Sequence, residues 1–460
     1  MHPAIAMYEG FCFGQSKGRF AIWVMEMESI WKIDKGLPSF PALKDGFKTD
    51  VLIIGGGMAG LLCAYKLKKA GVDCTVVDAG PICGWTTGST TAKITLQHGL
   101  IYHQLIREYG IDTAQGYYLA QKSALGEYND LCSKIDCDYE ELPSFVYSRT
   151  DRGSLEQEVM ALERVGCPCA LQEKLPLKLP TVGGVRIDHQ AQFHPLKFVN
   201  GIACGLRIFG NTKVLALTPG GVITEHGKIS AEKIIVTTHF PILNKHGMYF
   251  MKLYQHRSYV LALKGAQNVA GMYVDADKKG MSFRNWDDML LLGGGGHRTG
   301  KSGGCWQELE QFAKRYYPNA EIVTKWAAQD CMSLDGIPYI GRYGKRTDNL
   351  YVATGFNKWG MSSSMVAASI LCDMVLDQQN DFAQIFDPAR SMLHPQFMAN
   401  AFESVKGLLT PTAPRCPHLG CALKYNKAEH SWDCSCHGSR FSESGKVLEN
   451  PATGDKHFHH

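Results

Sequence analysis

The sequence predicts an α/β fold in which a parallel-sheet domain is interleaved with an antiparallel-sheet domain, and a small separate module closes the chain. Three observations carry this. Val51-Leu-Ile-Ile-Gly-Gly-Gly-Met-Ala-Gly60 runs an apolar strand into glycines at 55, 57 and 60, the spacing of a strand, a tight turn and a helix start. β-type runs recur at 213–238 and 350–354, with alternating apolar runs between 250 and 330. Two cysteine–histidine boxes stand apart in residues 413–460.

Composition bounds the reading. A chain of 460 residues with 45% hydrophobic content suffices for two or three domains. A net charge of +4 without a long basic run argues against nucleic acid as a partner. The apolar run Val51 to Tyr65 carries four glycines and is too short and broken to span a bilayer. Phe20 to Met25, followed by Glu26, is below the length of a signal-peptide core. Residues 1–26 are expected to be an upstream extension, since Met27 could itself start the chain, and the whole of 1–47 is an extension and lead-in. Of sixteen cysteines, twelve lie scattered between Cys12 and Cys372 and read as thiols of a cytoplasmic protein. Cys167-Pro-Cys169 is a chance pair in a loop.

Residues 28–47 contain Pro38 and Pro41, lack periodicity and read as extended. In the fingerprint that follows, Gly55 permits the turn, Gly57 lets backbone approach a pyrophosphate, and Gly60 lets the helix pack on the strand. The helix pattern of Leu61, Leu62, Tyr65 and Leu67 stops at Gly71. A second strand, Cys74 to Asp78, ends in the acid placed to accept the hydroxyl protons of an adenosine ribose, so dinucleotide binding follows. The hydroxyl-rich stretch Gly84 to Thr95 is expected to wrap over the cofactor. Residues 100–136 read as helical cover for the sheet, and 139–188 as short strands and turns. Lys213 to Leu217, Gly221 to Thr224 and Ile234 to Thr238 return strands to the nucleotide sheet, and 250–330 forms a second, antiparallel sheet. Leu350-Tyr-Val-Ala-Thr-Gly-Phe-Asn-Lys-Trp-Gly-Met-Ser362 then presents a second helix start, whose partial positive charge can stabilise a reduced ring.

By these marks, residues 48–376 resemble the D-amino-acid oxidase and glycine oxidase group of FAD-dependent oxidoreductases. The resemblance implies FAD extended along a Rossmann-like domain, facing a sheet that binds substrate. It makes Gly55, Gly57, Gly60, Asp78, Val214, Gly355, Trp359, Gly360 and Met361 its contacts. Thr237-Thr-His239 departs from the group's usual Ala-Thr-Gly. Some relatives attach FAD to a cysteine, but their position corresponds to Ala328 here rather than Cys331, so non-covalent FAD is expected.

After a proline-marked connector at 377–412, the boxes Cys416-Pro-His418-Leu-Gly-Cys421 and Cys434-Ser-Cys436-His437-Gly-Ser439 resemble the Rieske iron–sulfur proteins. By residue type alone, four of these six could also build a structural zinc site. The resemblance implies a small all-β domain with a [2Fe-2S] cluster, Cys416 and Cys434 on one iron, His418 and His437 on the other, and Cys421 paired with Cys436 in a disulfide. Histidine in place of two thiolates raises the potential to about −150 to +300 mV, against about −400 mV for plant-type all-cysteine ferredoxins. Phe441 stands where the highest-potential members place a tyrosine, so the cluster belongs below the top of that range. The family's base strands before the first box are missing, so the flavoprotein must supply a base or the domain is minimal. His457 to His460 reads as a solvated tail.

The chain as a whole is similar to bacterial fusions of an FAD-dependent oxidoreductase with a Rieske domain. That implies oxidation of an amine or amino acid, with electrons passing through the cluster to a one-electron carrier protein. The alternatives are a reductase of electron carriers and a redox sensor with no small amine substrate. Arg257, Tyr259, Arg284 and His297, in the second sheet, could hold a substrate carboxylate, and none is assigned a catalytic role.

Overall fold

The computed structural model describes residues 28–242, 247–277, 279–411 and 414–456. The expectations for residues 1–26 and for the 457–460 tail lie outside these. Phe47–Ile54 is the middle of the first sheet, and Val51 to Ile54 are all buried, as a strand covered on both faces requires. It pairs in parallel with Cys74–Val77 on one side and Gly227–Val236 on the other. Arg207–Phe209 and Leu350–Thr354 extend the sheet in parallel, and Tyr339–Arg342 closes one edge antiparallel. Val214–Thr218 and Gly221–Thr224 form an antiparallel arm on Gly227–Val236.

The second sheet runs in the order Glu321–Met332, Tyr254–Lys264, Met289–Arg298, Ser282–Trp286, Met272–Asp275, Glu140–Ser148, Gly183–Gln192 and Lys93–Ile94. Its strands therefore come from chain segments that alternate with those of the first sheet, and the two domains are interleaved. Residues 139–188 are more ordered than short strands and turns. Two long strands join this sheet and enclose the helix Arg152–Arg164. One pairing, Met272–Asp275 with Glu140–Ser148, is parallel.

The lead-in is not simply extended. Ile30–Lys35 is a short helix, and Trp31 is fully buried, edge-on to His194 and Trp286. Burying two apolar side chains outweighs the absence of periodicity in so short a segment. The connector likewise folds, with Pro395–Leu409 helical and Arg390 bonded to buried Asp335. The closing module is a four-stranded antiparallel sheet, Leu423–Asn426, Ser431–Cys434, Arg440–Ser442 and Val447–Glu449. No described helix is long and apolar enough to cross a membrane.

Candidate functional site

The helix Met58–Lys69 starts where the glycines turn the chain. Gly55 sits at φ +116°, and a β-carbon there would lie 2.7 Å from the Thr237 backbone. A β-carbon at Gly60 would lie 1.9 Å from the Gly55 carbonyl, so helix–strand contact excludes any side chain. Gly57 differs, because its β-carbon would meet only the Thr87 hydroxyl, at 3.3 Å. The Met58 amide donates to Thr87 Oγ1 at 3.0 Å, which draws the Gly84–Thr95 stretch across the helix start. An open cradle bordered by the first amides of a helix suits a pyrophosphate.

Asp78 follows the second strand. Its Oδ2 accepts from Gly56 N at 2.7 Å and its Oδ1 from Gly80 N at 2.9 Å. Burial raises its pKa, and the two amides partly offset that. An ionised carboxylate has about four acceptor sites, so two amide donors leave capacity for a ribose. Thr212 N donates to the Asp78 carbonyl at 2.7 Å, which brings half-buried Val214 close by in sequence and space.

The second helix start is similarly open. Gly355 takes φ +69° at the end of Leu350–Thr354, and a β-carbon on Gly360 would meet nothing within 4 Å. Trp359 stacks on His98 with centroids 5.0 Å apart, and His98 meets Ser362 Oγ at 3.0 Å. Met361 is buried, with its carbonyl accepting from Tyr128. The segment from Thr87 to His98 thus runs from one helix start to the other. Within it Lys93 has Thr91 Oγ1 as partner at 3.2 Å, and burial, with Arg284 beside it, lowers its ammonium to about 7. Thr87 and Lys93 lay in the stretch marked by its hydroxyls, whereas nothing in sequence singled out His98. Cys331 is buried 3.7 Å from Thr354 Oγ1, and burial pushes its thiol to about 12, a poor nucleophile.

The four candidates for a substrate carboxylate are engaged elsewhere. Arg257 does bind carboxylates, but those of Glu429 and Glu449 in the closing module. Tyr259 donates to Glu429 at 2.8 Å, and His297 meets the Tyr259 hydroxyl at 3.0 Å. Arg284 donates to the carbonyls of Thr91 and Ala92. Strand alternation could not reveal that one face of the second sheet is covered by residues nearly two hundred positions away.

In the closing module, the two boxes form facing loops. Cys416, Cys421, Cys434 and Cys436 are all buried free thiols, and the sulfurs of Cys421, Cys434 and Cys436 lie within 4.8 Å of one another. The rings of His418 and His437 stand 5.0 Å apart and nearly perpendicular. Burial lowers His418 to about 4 and His437 to about 3, leaving both imidazoles neutral, the form that binds metal. By strict geometry neither buried ring nitrogen of His437 has a hydrogen-bond partner, so one of them is available to a metal. The donor set of soft thiolates and neutral imidazoles therefore fits an iron–sulfur cluster, and two converging helix starts with open glycine cradles fit an extended flavin dinucleotide.

Residues 50–374 match the FAD dependent oxidoreductase model, and residues 398–458 match the Rieske [2Fe-2S] domain model. The chain belongs to the FAD-dependent oxidoreductase family. Its C-terminal part is a Rieske domain, and FAD and a [2Fe-2S] cluster are its cofactors. The chain is 34% identical to the "Putative Rieske 2Fe-2S iron-sulfur protein YhfW" of Bacillus subtilis, over 92% of this chain and 96% of that one. Gamma-glutamylputrescine oxidoreductase of Escherichia coli is 26% identical over 43% of this chain and 50% of its own. Glycine oxidase from Geobacillus kaustophilus shares the fold, with a TM-score of 0.64 at 17% identity over 75% of this chain and 99% of its own. The enzyme is thus an FAD-dependent oxidoreductase, with the Rieske domain matched from within the helix Pro395–Leu409.

Proposed function

We propose that the protein oxidises a small amine or amino acid and passes the electrons one at a time through the Rieske cluster to a one-electron carrier protein. Bound FAD supplies the acceptor for hydride from the carbon bearing the amine. Around it, Gly55, Gly57 and Gly60 admit the pyrophosphate, Asp78 and Val214 flank the adenosine, and Gly355, Trp359, Gly360 and Met361 close on the ring. Cys416 and Cys434 bind one iron, His418 and His437 the other, and Cys421 pairs with Cys436, whose sulfurs already stand in one cluster with Cys434. The observation that carries this reading is contact between the two sites. The Phe240 ring lies 6.2 Å from the His418 ring, three residues beyond Thr237, whose hydroxyl donates to Gly55 O at 3.0 Å.

Hydride delivers two electrons together, whereas the cluster accepts one, so a cluster on the same chain suits draining the flavin singly toward a one-electron partner. A cytoplasmic location belongs to the same proposal, and the dispersed free thiols support it. The experiment is an anaerobic screen of amines and amino acids for bleaching of the flavin band, repeated with His418→Ala. A substrate should bleach the flavin in both proteins, and the variant should lose most reduction of a one-electron protein acceptor. Equal acceptor reduction would exclude the cluster from the route, and bleaching by no compound would favour a carrier reductase or a redox sensor.

A further inference from the structure

We propose that the Rieske domain is a fixed rather than a swinging electron acceptor, docked with its histidine edge inward, and that Gln329 is the residue that bridges flavin site and cluster. This rests on the proposed function in taking the flavin as the electron donor. The Thr86 hydroxyl, one residue before the segment that crosses both helix starts, donates to the Gln329 carbonyl at 3.3 Å. The Gln329 side chain donates from Nε2 to the Gly438 carbonyl at 3.0 Å, immediately after His437, and Thr299 holds its Oε1 at 2.9 Å. One buried residue therefore links the cofactor segment to a ligand box.

The docking around this bridge is tight. A β-carbon on Gly438 would lie 2.2 Å from Gln255 Cγ, and one on Gly300 would lie 2.5 Å from Ser435 N, so backbone and side chains meet with no room for a layer of water. Arg298 donates to the carbonyls of Ser435 and Cys436, both at 3.1 Å. Asn450 donates to Thr238 O and Phe240 O at 2.7 and 2.8 Å. His437 is buried against Phe250, 6.1 Å between ring centroids, and so faces the flavoprotein. Between the same two domains Arg257 and Arg440 share Glu429 and Glu449, and Asp433 completes the set at 3.0 Å from Arg440. Separating the domains would take from Arg257 both of its carboxylates, while Glu429 would keep Arg440 within its own module. Nothing comparable would restrain a head that must travel between donor and acceptor.

The test uses the holoenzyme and needs no substrate. A laser flash with 5-deazaflavin reduces the flavin by one electron, and the cluster is followed by its visible band. Cluster reduction should be first order, independent of protein concentration and unchanged by added sucrose. Gln329→Leu should slow it at least about tenfold, while FAD content, iron content and the electron resonance of the reduced cluster stay those of the wild type. A wild-type rate that falls in proportion to viscosity would overturn the fixed dock, and this needs no variant. An unchanged rate in Gln329→Leu would overturn the bridge. If the flavin never reduces the cluster in the wild type, the proposed electron route fails and this inference fails with it.

Discussion

The two cofactor sites are built in opposite ways. The proposed flavin site is mostly backbone, with helix amides and glycines whose missing side chains leave space, and Asp78 as its carboxylate. The cluster site is mostly side chain, four cysteines and two imidazoles on two loops, of which Cys421 and Cys436 are proposed to pair, held in place by charges that the flavoprotein contributes. A backbone site distributes binding over many weak contacts in a rigid strand–helix unit. A side-chain site concentrates it in a few donors, each indispensable, so single substitutions should separate the two.

The largest separation is expected at His437. Removing a ligand should abolish iron and sulfide incorporation and the low-field electron resonance of the reduced protein, while FAD stays stoichiometric. Loss of both cofactors together in His437→Ala would mean that the sites fold as one unit. Gly57→Val is the converse. Its side chain should fill the pyrophosphate cradle and leave purified protein with little FAD but an intact cluster, read as the ratio of flavin to iron.

Glu429→Gln tests the charges between the halves. Burial alone would push Glu429 up, but Arg257 and Arg440 outweigh it and hold the carboxyl at about 2, against an ordinary value of 4.5. Taking away this charge should cost about 3–5 kcal/mol, measured as an earlier thermal loss of the cluster band than of the flavin band. The sign of the pH effect follows. A depressed carboxyl stabilises the fold above pH 4.5, and that contribution fades as pH falls toward 2. Wild-type apoprotein should therefore lose urea resistance between pH 5 and 3 more steeply than Glu429→Gln, and parallel curves would assign the acid sensitivity to other groups.

The smallest effect is expected at Cys331. Its buried thiol is pushed to about 12, so it should neither bind flavin covalently nor react with it. Acid precipitation should release all the FAD, and Cys331→Ala should retain wild-type flavin content. Flavin remaining in the pellet would contradict both.

Much of the first site was legible because strand, turn and helix are local. The spacing of Gly55, Gly57 and Gly60 states a backbone geometry that those residues make by themselves, and Asp78 follows at a fixed distance along the same unit. The boxes at Cys416–Cys421 and Cys434–Ser439 were legible for the same reason, since each is a short loop whose donors need only one another. Residues 30–35 were missed because so short a helix has no periodicity, and the burial of Ile30 and Trp31 orders it.

What the sequence by itself determined is thus the chemistry on offer: a dinucleotide fingerprint, two cysteine–histidine boxes and the alternation of two sheets along the chain. Only the tertiary structure decided what each buried charge is for. Arg257 and Tyr259 carry the same strand pattern whether they face a substrate or another domain. Their partner, Glu429, lies 172 residues from Arg257, with no periodicity to announce it. A hydrogen bond or ion pair is made by proximity in space, and the fold alone sets which distant groups are brought within 3 Å of each other.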